Sequence, residues 1–136
     1  MNYWLIKKWE GLHLEAYICP AGKPTIGWGN TTYEDGRSVQ IGDKITLERA
    51  EQLLDWYCST ITLPKGNFNE NQKEALYSLI YNIGQAAFNK SKCKKAIEDG
   101  DFTTAKKNWN WIRSQGKILK GLVKRRDEEK RLFFGE

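Results

Sequence analysis

The sequence predicts one α+β domain, with a small sheet-bearing lobe over about residues 1–45 and a larger helical lobe over about residues 46–136. Near the N-terminus, apolar and polar residues alternate between turns that contain glycine and proline, which is typical of short antiparallel strands. After residue 46 the apolar residues recur every three or four positions, which is typical of packed helices. A chain of 136 residues is one domain by default. A groove between the two lobes is expected to hold the functional site.

The first lobe is expected to open with a short helix. Leu5, Ile6 and Trp9 have helical spacing, and Gly11 follows at a position where helices commonly end. The helix should therefore end at about Glu10.

Three antiparallel strands are predicted next. Residues 14–19 alternate, residues 20–24 contain two prolines and a glycine, and residues 25–30 resume an extended pattern, so together they predict a β-hairpin. A second turn signal precedes residues 38–41, which predict a third short strand.

The second lobe is predicted to consist of helices only. Thr46 is a suitable N-cap for the first of them, and Asn69 with Gln72 resembles a capping box that starts another. Three later segments repeat the pattern of a polar start and a periodic apolar face: Ser91–Asp99, Phe102–Arg113 and Leu119–Phe134. In the last one, Arg125 or Arg126 could approach Glu10 across the groove, but a solvated face is the commoner outcome for two arginines on a final helix.

Composition argues against several classes of function. No stretch approaches the roughly 18 apolar residues of a membrane span, so stable membrane insertion is not expected. Cys19, Cys58 and Cys93 lack metal-type spacing and His13 is the single histidine, so no metal site is expected. The net charge of +5 suits an anionic partner, but without an RNA-binding signature we expect no nucleic-acid binding.

Three polar side chains near the hairpin form the candidate catalytic group. Cys19 and Thr25 flank a five-residue loop, and a hairpin would place them opposite or nearly opposite each other, with Cβ atoms about 5 Å apart. Glu10 precedes the same strand by a tight turn. Because the carbonyl end of a helix disfavours an ionised carboxylate, Glu10 suits the role of proton donor. Judged from position alone, a solvated or lysine-paired Glu10 would be the commoner outcome.

The segment from Glu10 to Gly29 resembles the phage-type lysozymes, the endolysin family, in its spacing of glutamate, eight residues, cysteine, five residues and threonine. Residues 81–84 and 121–126 resemble the same family in matching order. The resemblance implies a lysozyme-like α+β fold. It also implies a glycoside hydrolase that cleaves, without a cofactor, the β-1,4 bond between N-acetylmuramic acid and N-acetylglucosamine in bacterial peptidoglycan.

The resemblance further implies roles for individual residues. Glu10 would protonate the leaving glycosidic oxygen, while Cys19, helped by Thr25, would position or activate water. Four residues would bind substrate: Asn30, Tyr81, Asn82 and Ser91. Asn30 stands where family members commonly carry histidine, and it is expected either to hold the hairpin or to touch substrate.

Cys19 departs from the carboxylate-pair form of the family, and this leaves alternatives open. An ordinary thiol, with a pKa of about 8.5, is mostly protonated at pH 7. Cys19 could therefore act as a base, as a nucleophile or as a spectator. One acid without a second carboxylate also suits a lytic transglycosylase, in which the sugar's own 6-hydroxyl attacks. A third hypothesis is a non-catalytic basic module that binds cell wall or nucleic acid.

The expected partner is bacterial peptidoglycan, and the expected state is a monomer. Residues 1–10 reach Lys7 too early to contain the apolar segment of a signal peptide. We therefore expect synthesis in the bacterial host cytoplasm and action on the cell wall after a separate step permeabilises the membrane, which leads to host lysis.

Overall fold

The computed structural model describes residues 1–135, which form two compact units of an α+β fold. The hairpin unit is Ile6–Thr60, and the helical unit is Met1–Leu5 together with the chain from Ile61 onward. The sequence prediction grouped the helix that follows Thr46 with the helical lobe. The structure places that helix in the hairpin unit, because its apolar face packs on the strands.

The hairpin unit packs two strands against a helix. Its elements are α1 (Trp4–Glu10, which begins in the helical unit), β1 (His13–Ile18), β2 (Pro24–Gly27) and α2 (Leu47–Ser59). The Thr46 hydroxyl accepts a hydrogen bond from the Arg49 amide, which confirms the predicted N-cap of α2. The buried core of the unit comprises Ala16, Ile26, Tyr33, Val39 and Leu53.

The predicted third strand is wrong in position and length. β1 and β2 form a two-stranded sheet, and Ser38 makes only an isolated bridge to Thr32. A turn intervenes, because the Asp43 carboxylate accepts hydrogen bonds from the Gln40 amide and the Tyr33 hydroxyl. After this turn, Lys44 forms an isolated antiparallel bridge with Glu15 of β1.

The helical unit contains five helices and a short hairpin among the described residues. In chain order these are α3 (Glu70–Ile83), α4 (Gln85–Asn89), α5 (Lys92–Glu98), α6 (Phe102–Lys107), β3 (Arg113–Ser114), β4 (Lys117–Ile118) and α7 (Lys120–Phe134). Asn69 and Gln72 exchange side-chain hydrogen bonds with each other's backbone, so the predicted capping box is confirmed. The core is built on α3, whose Leu76, Leu79 and Ile80 are buried.

The predicted helix from Phe102 to Arg113 is too long. α6 ends at Lys107, where the Asn108 side chain donates a hydrogen bond to the Thr104 carbonyl. Trp109 then turns into the core and is fully buried. The β3–β4 hairpin follows, with Gln115 and Gly116 at its turn in positive φ (51° and 78°).

Candidate catalytic site

The β1–β2 register brings Cys19 and Thr25 together. Thr25 pairs with Tyr17, and Pro24 pairs with Ile18. Because side chains alternate along a strand, Tyr17 and Cys19 lie on the same face of the hairpin as Thr25. Cys19 is therefore the diagonal rather than the direct neighbour of Thr25, which agrees with the nearly opposite placement expected from the sequence.

Hydrogen bonds surround the Cys19 sulfur. A hydrogen bond with the Thr25 side chain is the largest cause that lowers the pKa of the Cys19 thiol, and backbone groups of Lys23 and Ala21 add to it. The loop itself is held by hydrogen bonds from the Cys19 amide to the Lys23 carbonyl (3.0 Å) and from the Gly22 amide to the Cys19 carbonyl (2.8 Å). The hairpin thus favours a thiolate at this position.

The Thr25 hydroxyl has a single proton and two acceptors within reach. In the structure it donates to the Lys23 carbonyl at 2.9 Å, and the residue is 3% exposed. One proton cannot be donated to the carbonyl and to a thiolate at once.

Glu10 stands at the end of α1, half-buried, in the same unit as the hairpin. Gly11 reverses the chain in left-handed geometry (φ 72°), with its amide donating to the Lys7 carbonyl at 3.2 Å. Burial raises the pKa of the Tyr17 phenol, and the charges of Cys19 and Glu10 raise it further. Glu10 and Cys19 therefore both lie within electrostatic range of one side chain.

Asn30 lies inside the hairpin unit. It is 3% exposed, and its backbone forms a reciprocal pair of hydrogen bonds with Ile26, both 2.9 Å. Its amide nitrogen and oxygen find no hydrogen-bond partner among residues 1–135. The Asn30 oxygen would lie 3.4 Å from a Cβ added at Gly27, so the side chain packs closely under β2. The structure thus gives Asn30 a place within the hairpin, and its contact with substrate stays a prediction.

Trp28, an aromatic residue that could stack on a sugar, is 6% exposed. The Lys7 ammonium lies over its ring, 4.9 Å from the centroid, and is also 2.9 Å from a Glu51 carboxylate oxygen. These contacts connect the last turn of α1 to the residue that follows β2 and to α2. Trp28 therefore acts in the packing of the hairpin unit.

The other predicted binding residues lie in the helical unit. Tyr81 is half-buried and Asn82 is exposed, both near the end of α3. Asn82 lines a cleft of about 400 Å³ together with Trp111 and Arg113. Ser91 is the N-cap of α5: its hydroxyl donates to the Phe88 carbonyl and accepts from the Lys94 amide.

A buried charge cluster in the helical unit was not predicted from the sequence. The Glu129 carboxylate accepts hydrogen bonds from the Ser78 hydroxyl (2.5 Å), the Trp109 indole (3.1 Å) and the Arg126 guanidinium (3.0 Å). Arg125 donates to Ser78 at 3.2 Å. Arg125 and Arg126 are 4% and 1% exposed, so the expected solvated arginine face is wrong. Their spacing to Glu129, three and four residues along one helix, was the available signal.

The three cysteines give the first testable prediction. Cys58 and Cys93 are 1% and 0% exposed, and burial raises the pKa of the Cys93 thiol to about 12. We expect iodoacetamide to alkylate Cys19 alone in the folded protein. Because the pKa of Cys19 is lowered, its alkylation rate should rise at a lower pH than the rate in urea-unfolded protein. Mass spectrometry of peptides from Cys19→Ser provides the control. The prediction is contradicted if the pH midpoint of the Cys19 alkylation rate in the folded protein equals or exceeds the midpoint in the unfolded protein.

Residues 1–135 contain no group of three or more histidine, cysteine or acidic side chains arranged to hold a metal ion. The same residues include no helix with the length and apolar character needed to cross a membrane.

Comparisons with known proteins show which family the chain resembles. A family model described as phage lysozyme matches residues 7–129. An endolysin of Acyrthosiphon pisum secondary endosymbiont phage 1 is 40% identical over 139 aligned residues, covering 95% of this chain and 92% of the relative. An endolysin of Salmonella phage P22 is 37% identical over 134 residues, with the same two coverages.

Solved structures are similar as well. An endolysin from Escherichia coli O157:H7 phage FAHEc1 superposes with a TM-score of 0.85 at 34% identity, covering 97% of this chain and 89% of that one. The muramidase domain of SpmX from Asticaccaulis excentricus superposes with a TM-score of 0.74 at 30% identity, covering 97% and 93%.

Proposed function

The chain belongs to the phage lysozyme family and is a lysozyme-type glycoside hydrolase, and from that premise we propose that it hydrolyses the β-1,4 bond between N-acetylmuramic acid and N-acetylglucosamine in peptidoglycan. One observation carries the proposal. The Thr25 side chain and backbone groups of the loop form hydrogen bonds with the Cys19 sulfur, and these lower the pKa of its thiol. The charges of Cys19 and Glu10 both raise the pKa of the Tyr17 phenol. An acid and a thiolate-stabilising pair therefore occupy one unit.

In the proposed reaction, Glu10 gives its proton to the glycosidic oxygen as the bond from that oxygen to the anomeric carbon breaks. A water oxygen forms the new bond on the opposite side of the sugar, which inverts the configuration. The Cys19 thiolate accepts the proton of that water, and the Thr25 hydroxyl holds the sulfur. Proton exchange with solvent then restores protonated Glu10 and ionised Cys19.

The lowered pKa of Cys19 supports a base rather than a spectator at this position. A base is effective when it is ionised at the working pH and lies within hydrogen-bond reach of the water. An ordinary thiol fails the first condition at pH 7 because its pKa is about 8.5. The hydrogen bonds from the loop and from Thr25 move Cys19 towards meeting it.

We propose that the helical unit binds the glycan through Asn82 and Tyr81. Asn82 offers an exposed amide at the rim of a cleft whose lining includes Trp111 and Leu122, a combination suited to a sugar with polar edges and an apolar face. Ser91 would support that surface as the cap of α5. Asn30 would act from inside the hairpin by holding the chain that follows β2.

The partner and place of action are part of the same proposal. The enzyme would work as a monomer on peptidoglycan, without a cofactor and without binding nucleic acid. It would be made in the bacterial host cytoplasm and reach the wall after the membrane is permeabilised. The non-catalytic module considered from the sequence is set aside, because the chain is a glycoside hydrolase.

A lytic transglycosylase remains the second candidate, and the presence of a thiol in place of a carboxylate at position 19 favours it. In that reaction the 6-hydroxyl of the sugar attacks the anomeric carbon, so no water needs a base in the same place. Both candidates require Glu10 as the proton donor.

Product analysis separates the two reactions. Purified cell walls digested with the enzyme should release soluble muropeptides that end in reducing N-acetylmuramic acid, because water supplies the new oxygen. Mass spectrometry of the products checks this outcome, with borohydride reduction as the control for a free reducing end. Ends with 1,6-anhydromuramic acid would instead support the transglycosylase, and release of no muropeptides would reject both.

A further inference from the structure

Tyr17 lies next to Thr25 and Cys19 on the β1–β2 hairpin, although the proposed reaction gives it no task. It pairs directly with Thr25 across the hairpin and precedes Cys19 by two residues, so all three side chains leave the same face of the strands. A tyrosine side chain extends much further from its strand than threonine or cysteine does. A phenol hydroxyl at this position can therefore reach groups that the two shorter side chains cannot.

The ring of Tyr17 is held in place by His13. The two rings are stacked, with centroids 4.0 Å apart and an angle of 29° between their planes. The strand register shifts between His13 and Tyr17, and this irregularity lies between the two stacked residues. His13 is exposed while Tyr17 is half-buried. The imidazole thus covers one side of the phenol ring and limits its rotation.

The Tyr17 hydroxyl keeps its proton under working conditions. Burial raises the pKa of the phenol above its ordinary value, and the charges of Cys19 and Glu10 act in the same direction. A neutral phenol can donate one hydrogen bond and accept another. Tyr17 therefore offers a hydrogen-bond donor at a position where the charges of Glu10 and Cys19 both affect its pKa.

We propose that Tyr17 is a further catalytic residue, whose hydroxyl donates a hydrogen bond to an oxygen of the sugar held between Glu10 and Cys19. The proposal rests on the proposed function, because it needs a glycan in that position. His13 is a positioning residue, since it acts on the sugar only through the ring of Tyr17. The oxygen that receives the Tyr17 hydrogen bond is the leaving glycosidic oxygen, which gains negative charge as its bond to the anomeric carbon breaks. A hydrogen bond donated to it strengthens in the transition state, so its loss lowers kcat more than it changes KM.

Tyr17→Phe is the direct test, because it removes the hydroxyl and keeps the ring that stacks on His13. With soluble peptidoglycan oligosaccharides, kcat should fall about tenfold while KM changes less than about twofold, as expected for one hydrogen bond made in the transition state. Circular dichroism and the thermal midpoint should match those of the wild type. A kcat within about twofold of the wild type would overturn the proposal.

Tyr33→Phe is the matched control in the same unit. The Tyr33 hydroxyl donates to the Asp43 carboxylate at 2.7 Å, away from Cys19 and Thr25 along the chain. Its removal should lower stability and leave kcat unchanged. If Tyr33→Phe lowers kcat as much as Tyr17→Phe does, the loss of any phenol hydroxyl in this unit has the same effect, and the role assigned to Tyr17 is rejected.

A double-mutant cycle tests the part played by His13. His13→Ala should lower kcat in the wild-type background and have no further effect in Tyr17→Phe, because the hydroxyl it positions is already missing. An equal effect of His13→Ala in both backgrounds would reject its positioning role.

If Glu10→Gln abolishes turnover while Tyr17→Phe behaves like the wild type, the proposed function stands and this inference alone fails. If Glu10→Gln turns over like the wild type, the proposed function fails and this inference, which rests on it, fails with it.

Discussion

Replacing Glu10 by glutamine is expected to lower the rate of muropeptide release by about 10²–10⁴-fold, the usual contribution of a general acid. Glutamine keeps the size of the side chain and its place at the end of α1, but it has no proton to give to the leaving oxygen. The measurement is the initial rate of release from purified cell walls, compared at equal protein concentration. If both proteins release muropeptides at the same rate, the proposal that this protein is a muramidase is contradicted.

Glu51→Gln is a useful control for this experiment. Glu51 is also a carboxylate of the hairpin unit, and it pairs with Lys7 at 2.9 Å, one turn before Glu10. Because the side chains of Lys7 and Glu51 remain 26% and 42% exposed, solvent screens the pair, and it is worth no more than about 1 kcal/mol. Activity close to the wild type in Glu51→Gln, together with loss in Glu10→Gln, would assign the effect to the proton donor rather than to a missing charge in the unit.

The largest expected effect on stability comes from Glu129→Leu. Glu129 is fully buried and receives hydrogen bonds from Ser78, Trp109 and Arg126. Leucine leaves two buried guanidinium groups without their carboxylate. The free energy of unfolding should therefore fall by about 3–5 kcal/mol, the range found when one member of a buried ion pair is removed. Urea denaturation monitored by circular dichroism measures the change.

Asp127→Leu provides the comparison on the same helix. Asp127 lies on the outer side of α7, with its side chain 54% exposed and 4.0 Å from the Lys130 ammonium. Removing an exposed pair changes stability by about 0–1 kcal/mol. If Asp127→Leu and Glu129→Leu lower the free energy of unfolding equally, burial of the cluster does not determine how much it stabilises the protein.

The elements predicted well are those whose signals are local. Thr46 and Asn69 cap the helices that the sequence assigns to them, because a cap depends on a hydrogen bond within three residues. α1 ends at Glu10 as expected, since Gly11 supplies the left-handed residue that follows. Each of these features needs no information from a distant part of the chain.

The errors arose where a side-chain hydrogen bond, rather than the pattern of apolar residues, decides the outcome. The third strand was expected at residues 38–41, but hydrogen bonds from Tyr33 and Gln40 to Asp43 form a turn there instead. Likewise, the helix expected to continue to Arg113 ends at Lys107, and Trp109 enters the core to meet Glu129. Periodicity cannot register such partners, because it reports only which residues of one segment share a face.

For the candidate site as well, the sequence predicted one part and the structure supplied another. The grouping of Glu10, Cys19 and Thr25 was predicted from their spacing along the chain together with the resemblance of this segment to the phage-type lysozymes. What the spacing could not give is the chemistry of the group: the hydrogen bonds that lower the pKa of Cys19 and the stacked Tyr17 both follow from strand register and folding of the loop.

By itself, the sequence determined the α+β class, the end of α1 and the caps of α2 and α3, and it led to the hypothesis of which three side chains form the catalytic group. Tertiary structure decided which charges are buried, as for Arg125, Arg126 and Glu129, and how readily Cys19 ionises. The physical reason is range: capping and periodicity act over a few residues, whereas burial and electrostatic environment are set by side chains that meet only after the chain has folded.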